Sequence, residues 1–131
     1  MGKQIAKQSG FASSAETDCT VSSGQTVSET ADLGRPYAFI SIYCADMVGV
    51  PSATTMTLQV ANSADGTLND LYSANMGALL TSETLPDGSG DTYHTTVIDA
   101  IGIQKIQITL SGAATADVDF KIVGVDAGKL Y

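Results

Sequence analysis

His94 is the only histidine in this 131-residue chain, so acid–base chemistry near neutral pH would have to pass through it. It lies in residues 92–98, a run rich in Thr and β-branched side chains, where a histidine is expected to be a solvated or hydrogen-bonded strand residue. Nucleophilic catalysis would need a serine on a sharp elbow beside that imidazole, and no G-x-S-x-G is present. Glu29 and Glu83 could supply the two carboxylates of glycoside hydrolysis, yet nothing in the sequence pairs them across a groove. Gly-rich phosphate loops are absent. Asp87, Ser89 and Asp91 open like a calcium loop, but Ile98 stands where the later bidentate acid belongs, so a turn held by Asx hydrogen bonds is expected. Asp65, Asn69 and Asp70 make a similarly loose group. Asp117 and Asp119 are two apart and read as a solvated acidic edge. The expectation is a protein that is not an enzyme, with no metal and no cofactor.

Cys19 and Cys44 are the only cysteines, with neither a C-x-x-C spacing nor a nearby histidine to suggest zinc or redox chemistry. Two free, partly buried thiols are favoured over a disulfide. Residues 1–15 lack the continuous apolar run of a signal peptide, and Ala6 stands where a myristoylation pattern needs Ser or Thr. No apolar stretch approaches the length of a membrane helix.

The charge balance says more about partners. Six bases face 14 acids, for a net charge of −8, and charged residues make up 15% of the chain, below the roughly 25% of ordinary domains. The polar surface must therefore be built from Ser, Thr, Gln, Asn and Gly, which suits contact with other protein. Lys3 and Lys7 lie in residues 1–15, which hold no acid, so the body is more acidic than the whole. Such a body repels phosphate, and direct nucleic-acid binding is not expected. A slightly basic arm on an acidic body suits an arm lying on a neighbouring subunit; a frayed terminus is the alternative.

The elements that must position these groups are strands. Ile106, Ile108 and Leu110 alternate with Gln107 and Thr109, and Val118, Phe120 and Ile122 alternate with Asp119 and Lys121, a period of two with one buried and one wet face. The small residues 111–117 between them suit a hairpin that closes the domain. Residues 37–44 predict a central strand with Ala38, Ile40, Ile42 and Cys44 on one side and Tyr37, Phe39, Ser41 and Tyr43 on the other. Residues 55–61 predict a half-buried strand with Met56, Leu58 and Val60 inward. Shorter strands are expected at 18–21, 25–31, 79–85 and 92–98, with one helical turn around 68–72. Gly34-Arg35-Pro36 punctuates the chain, and 64–67 and 86–91 read as turns. Parity breaks at Ile103, and again at Val123 and Val125, which points to two-sided burial or a β-bulge. Seven to nine strands spaced by turns indicate an all-β chain, an antiparallel β-sandwich or jelly roll, over residues 17–131, preceded by an extended N-terminal arm at 1–16.

The segment Leu58-Gln59-Val60-Ala61-Asn62-Ser63-Ala64-Asp65-Gly66-Thr67-Leu68-Asn69-Asp70-Leu71 resembles the strand–turn signature of discoidin-like jelly-roll modules, with Leu68 at their usual Trp position. Residues 101–125 resemble the closing hairpin of the same modules. In length and in its Ser/Thr/Ala/Gly-rich, charge-poor style the chain is similar to capsid decoration (cement) proteins of tailed bacteriophages. That resemblance implies a homo-oligomer, a trimer above all, made in the host cytoplasm and seated on the outer surface of the virion. Its partner would be the major capsid protein, with no membrane or nucleic acid involved, and Lys3, Ile5, Lys7 and Phe11 of the arm would make the contact. A carbohydrate-binding module of a fiber or cell surface, with Tyr72, Tyr93 or Tyr131 as the stacking platform, is the alternative of another class. A head–tail connector or tail component is the third.

Overall fold

The computed structural model describes residues 14–73, 78–79, 83–86 and 90–125. All regular elements among them are strands: β1 (Ser14–Val21), β2 (Ala31–Cys44), β3 (Thr55–Ala61), β4 (Asn69–Asp70), β5 (Tyr72–Ser73), β6 (Ala78–Leu79), β7 (Glu83–Thr84), β8 (Tyr93–Leu110) and β9 (Val118–Val125). The antiparallel main sheet runs β1-β9-β2-β8-β3-β4, with β7 also on β3, while β5 and β6 form a small separate ladder. The protein is an all-β antiparallel sandwich, made by folding this one sheet over itself.

The fold-over happens within β2 and β8, which pass through both layers. In the first layer β2 pairs β8 from Phe39↔Ile98 to Cys44↔Tyr93; in the second the pairs are Ala31↔Ile106 and Asp32↔Lys105. Between these blocks the register shifts on each side of Tyr37↔Ile103, so each strand carries extra residues at the bend. Gly102 sits there with φ +99°, and a Cβ at that position would lie 2.9 Å from Pro36 Cβ. Only glycine combines that backbone conformation with so close an approach. The expected break at Gly34-Arg35-Pro36 is this corner, inside a continuous strand rather than between two. Likewise the runs at 92–98 and 102–111 are one bent strand.

Alternation then fills the core. From the first layer Cys19, Val21, Ile40, Ile42, Val97, Val118, Phe120 and Ile122 point inward; Met56, Leu58, Ile106, Ile108 and Leu110 meet them from the second, all nearly or fully buried. Tyr93 packs edge-on against Phe120, ring centroids 6.4 Å apart. Ile103 is buried at the bend, which accounts for its parity break as a bulge. The second apparent break has a different cause. Gly124, between Ile122 and Val125, continues the inward row, and the Tyr37 ring fills the space a side chain would need, 2.5 Å from where a Cβ would stand.

Several local expectations are corrected. Residues 111–117 do not make a hairpin, because β8 pairs β2 and β3 while β9 pairs β1 and β2. They cross between layers, held by Gly24 N–H to Ala114 O (2.7 Å), Ala114 N–H to Gln25 O (2.9 Å) and Thr115 N–H to Gly49 O (2.9 Å). Of the strand expected at 25–31, Val27 makes a single bridge to Thr109 and Ala31 opens β2. The helical turn at 68–72 is instead β4 and the start of β5, since Leu71 N–H bonds Leu58 O and keeps the chain against β3. β1 begins at Ser14, in register with Val125, so residues 14–16 of the expected arm belong to the sheet. β9 is an inner strand, so Asp117 and Asp119 do not lie on a sheet edge.

Replacing Gly124 by alanine should destabilise the protein by about 1–3 kcal/mol in urea unfolding, because the Tyr37 ring cannot retreat from a packed core. Combining it with Tyr37→Leu should recover part of that loss.

Candidate interaction surface

The register of the first layer aligns its outward side chains in rows. Asp18, Lys121, Tyr43 and His94 form one row across β1, β9, β2 and β8; Glu16, Val123, Ser41 and Thr96 form the next. Val125 and Phe39 follow beyond them, both half-buried. The central position of the 37–44 strand between β9 and β8 is as expected, but its second face is not closed over, for Tyr43 is 41% exposed. The outcome is one sheet face with Phe39, Val123 and Val125 toward one end and charged side chains along β1.

Two polar contacts organise it. Lys121 Nζ lies 2.8 Å from Asp18 and 3.8 Å from Glu16, and the bond to Asp18 raises its pKa above the ordinary lysine value. Both partners are well exposed, so the pair is worth little to stability. Ser41 Oγ and His94 Nε2 are 2.7 Å apart. This is a nucleophile beside a base, but Ser41 lies inside the sheet, paired to Thr96 on one side and Val123 on the other. Its backbone N–H is committed to the ladder and offers no oxyanion donor, and no carboxylate among the described residues is bonded to the ring. The strand histidine is hydrogen-bonded, as its setting in the sequence suggested.

Several other polar side chains serve the fold. Asp46 Oδ1 accepts from Val48 N–H (3.1 Å) and Gly90 N–H (3.0 Å), binding the 45–50 loop to the start of β8. Asp32 Oδ1 accepts from Gly34 N–H (2.8 Å) and the Gln104 amide (3.1 Å), which hold its pKa below the usual carboxylate value and brace the corner. Asp70 accepts from Gln59 (3.1 Å), Asn69 donates to Thr67 O (3.0 Å), Asp117 accepts from Ser23 N–H (2.8 Å) and Asp119 from Thr20 (3.1 Å). Among the described residues no group of three or more His, Cys, Asp or Glu could hold a metal ion. Asp87 and Ser89 lie outside the described residues, as do Tyr131 and the arm residues Lys3, Ile5, Lys7 and Phe11. Tyr93, one of the proposed sugar platforms, is buried against Phe120, while Tyr43 is exposed; the side chain of Tyr72, another proposed platform, lies outside the described residues. A shallow cavity of about 360 Å³ opens beside the corner, lined by Val60, Ala61, Asn62, Gly66, Thr67, Asn69 and Gly102. No helix among the described residues is long and apolar enough to cross a membrane.

Both cysteines are free and buried, more completely than expected. Cys19 Sγ lies 3.1 Å from Ser28 Oγ; that hydroxyl donates to Glu29 O (2.7 Å) and accepts from Ile108 N–H (2.9 Å). Burial pushes both thiols above their ordinary pKa.

Neither a protein-family model nor a curated relative matches the sequence. Among solved structures, the chain is similar to a Bacillus endospore appendage pilus protein at 16% identity, covering 88% of each chain, with a TM-score of 0.40. It is similar to a chain of the cyanophage Pam1 capsid asymmetric unit at 15% identity, covering 86% of this chain and 81% of that one, TM-score 0.39. The IMPa metallopeptidase from Pseudomonas aeruginosa aligns at 16% identity over 92% of this chain, TM-score 0.41, but the chain spans only 13% of that enzyme. Overlays at this level assign neither a family nor a function.

The raised thiol pKa values set a pH dependence. As pH rises past the ordinary thiol range the unfolded chain releases protons that the folded chain retains, so stability falls. Urea midpoints measured from neutral to alkaline pH should decline, and the decline should flatten in Cys19→Ala. A thiol reagent at about pH 8 should label the folded protein far more slowly than the urea-unfolded chain.

Proposed function

We propose that this protein is a viral structural protein that binds the outer surface of a tailed-phage capsid as a small oligomer and stabilises the shell. The supporting observation is the organisation of its polar groups. Asp32, Asp46, Asp70, Asp117, Asp119 and Ser28 all hold loops, corners or strands in place, and the Ser41–His94 pair lies inside the sheet without an oxyanion site. What the molecule offers a partner is area: a Thr-, Ser- and Gln-rich sandwich with a partly apolar sheet face. Association through area rather than chemistry is the physics of a shell component.

In this reading the oligomer sits between capsid subunits, and Ile5 and Phe11 supply apolar anchors while Lys3 and Lys7 steer the arm toward acidic patches. Only the assembled lattice presents the full site, so binding stabilises that state by mass action, and many identical contacts add through avidity. A carbohydrate-binding role on a fiber or cell surface is the second reading. The exposed Tyr43 beside His94 and Ser41 favours it, as a ring on which a sugar could stack.

A chain lacking residues 1–13, which leaves β1 whole, should fold normally by circular dichroism and lose co-sedimentation with expanded capsids. Undiminished decoration by that chain would remove the arm from the account, and glycan-array binding abolished by Tyr43→Ala would favour the second reading.

A further inference from the structure

We infer that the open edge of β1 receives residues 3–11 of a second copy of this chain, added as an extra antiparallel or parallel strand. The inference deepens the reading of the arm as a subunit contact, and rests on it in that respect alone.

The edge is available. β1 ends the main sheet, and among the described residues it has a strand only on its β9 side. A run of 8 residues therefore presents backbone donors and acceptors along one flank, free of proline and of any register shift. Two of its outward side chains, Glu16 and Asp18, are exposed acids, with Lys121 as the cation beside them among the described residues. Such an edge is a template for a strand from another chain.

The arm matches it in three respects. Lys3, Ile5, Lys7 and Phe11 all occupy odd positions, so an extended segment puts the four on one side. Paired beside β1, that side would continue the outward face, with one lysine opposite Glu16 or Asp18 and the other diagonal to the second acid. Opposite charges on neighbouring strands favour pairing. The length also fits: nine extended residues reach about 30 Å, and β1 spans about 27 Å.

The occupant is a second copy because the chain's own arm cannot make this contact. Returning residues 3–11 along their own β1 leaves only Ala12-Ser13 to reverse the chain. A two-residue hairpin turn needs a positive φ, which favours Gly or Asn, and neither is present. A turn moved upstream to Gly10 would take Phe11 out of the one-sided row.

The test is a charge swap in the full-length protein without capsid. Wild type should associate in light scattering. K3E/K7E and E16K/D18K, each confirmed folded by circular dichroism, should self-associate at least about tenfold more weakly, since each sets like charges side by side. An equimolar mixture should restore wild-type association, because acidic arms then meet basic edges on different chains. A monomeric wild type, variants that assemble like wild type, or a mixture no stronger than its parts would overturn the inference. A wild-type monomer that still decorates capsids would overturn it and leave the shell-binding reading intact.

Discussion

The bend shared by β2 and β8 is the constraint on which everything else depends. Two long strands must leave one layer and enter the other at the same place while staying paired. Extra residues on each strand give the slack, and Gly102 gives the backbone a conformation that brings it against Pro36. Asp32 then ties the two sides by bonding both Gly34 and Gln104. Without the bend, the inward rows of the two halves would face away from each other, and no core would form.

Once the layers are folded together, the loops become cross-links. Residues 111–117 lie against 22–25 and 49, and the 45–50 loop lies against 90–92. Ser28 carries the same logic inward, filling a buried polar position with bonds to Ile108, Glu29 and Cys19. Buried polar atoms must be bonded, and here a hydroxyl and a thiol share the task. Many of the described acids and hydroxyls are used in this way to hold the fold.

The outward surface follows from the same sheet. A strand inside a sheet has both backbone flanks occupied, so Ser41 and His94 meet on a surface without free amide donors. Among the described residues β1 ends the sheet with one flank unpaired, and in the chain it follows a lysine-bearing segment. In the role we propose, recognition would work through shape and broad contact rather than through a reaction.

Much of the fold was legible in the sequence because alternation is a local property. The inward rows of β3 and β9, the core side of β2 and the irregularity at Ile103 all follow from side-chain parity. Pairing is not local. Small residues at 111–117 suit a hairpin and a layer crossing equally, and only the path of the whole chain chose the crossing. Gly34-Arg35-Pro36 reads as a break until β8 is seen to bend at the same place. Tyr43 and Tyr93 are both strand tyrosines in the sequence; one faces solvent and the other packs on Phe120 because register, set by the ladder on either side, assigns each strand its inner face. The sequence determined which residues could share a side, and the tertiary structure decided which sides met, since that depends on contacts between residues far apart in the chain.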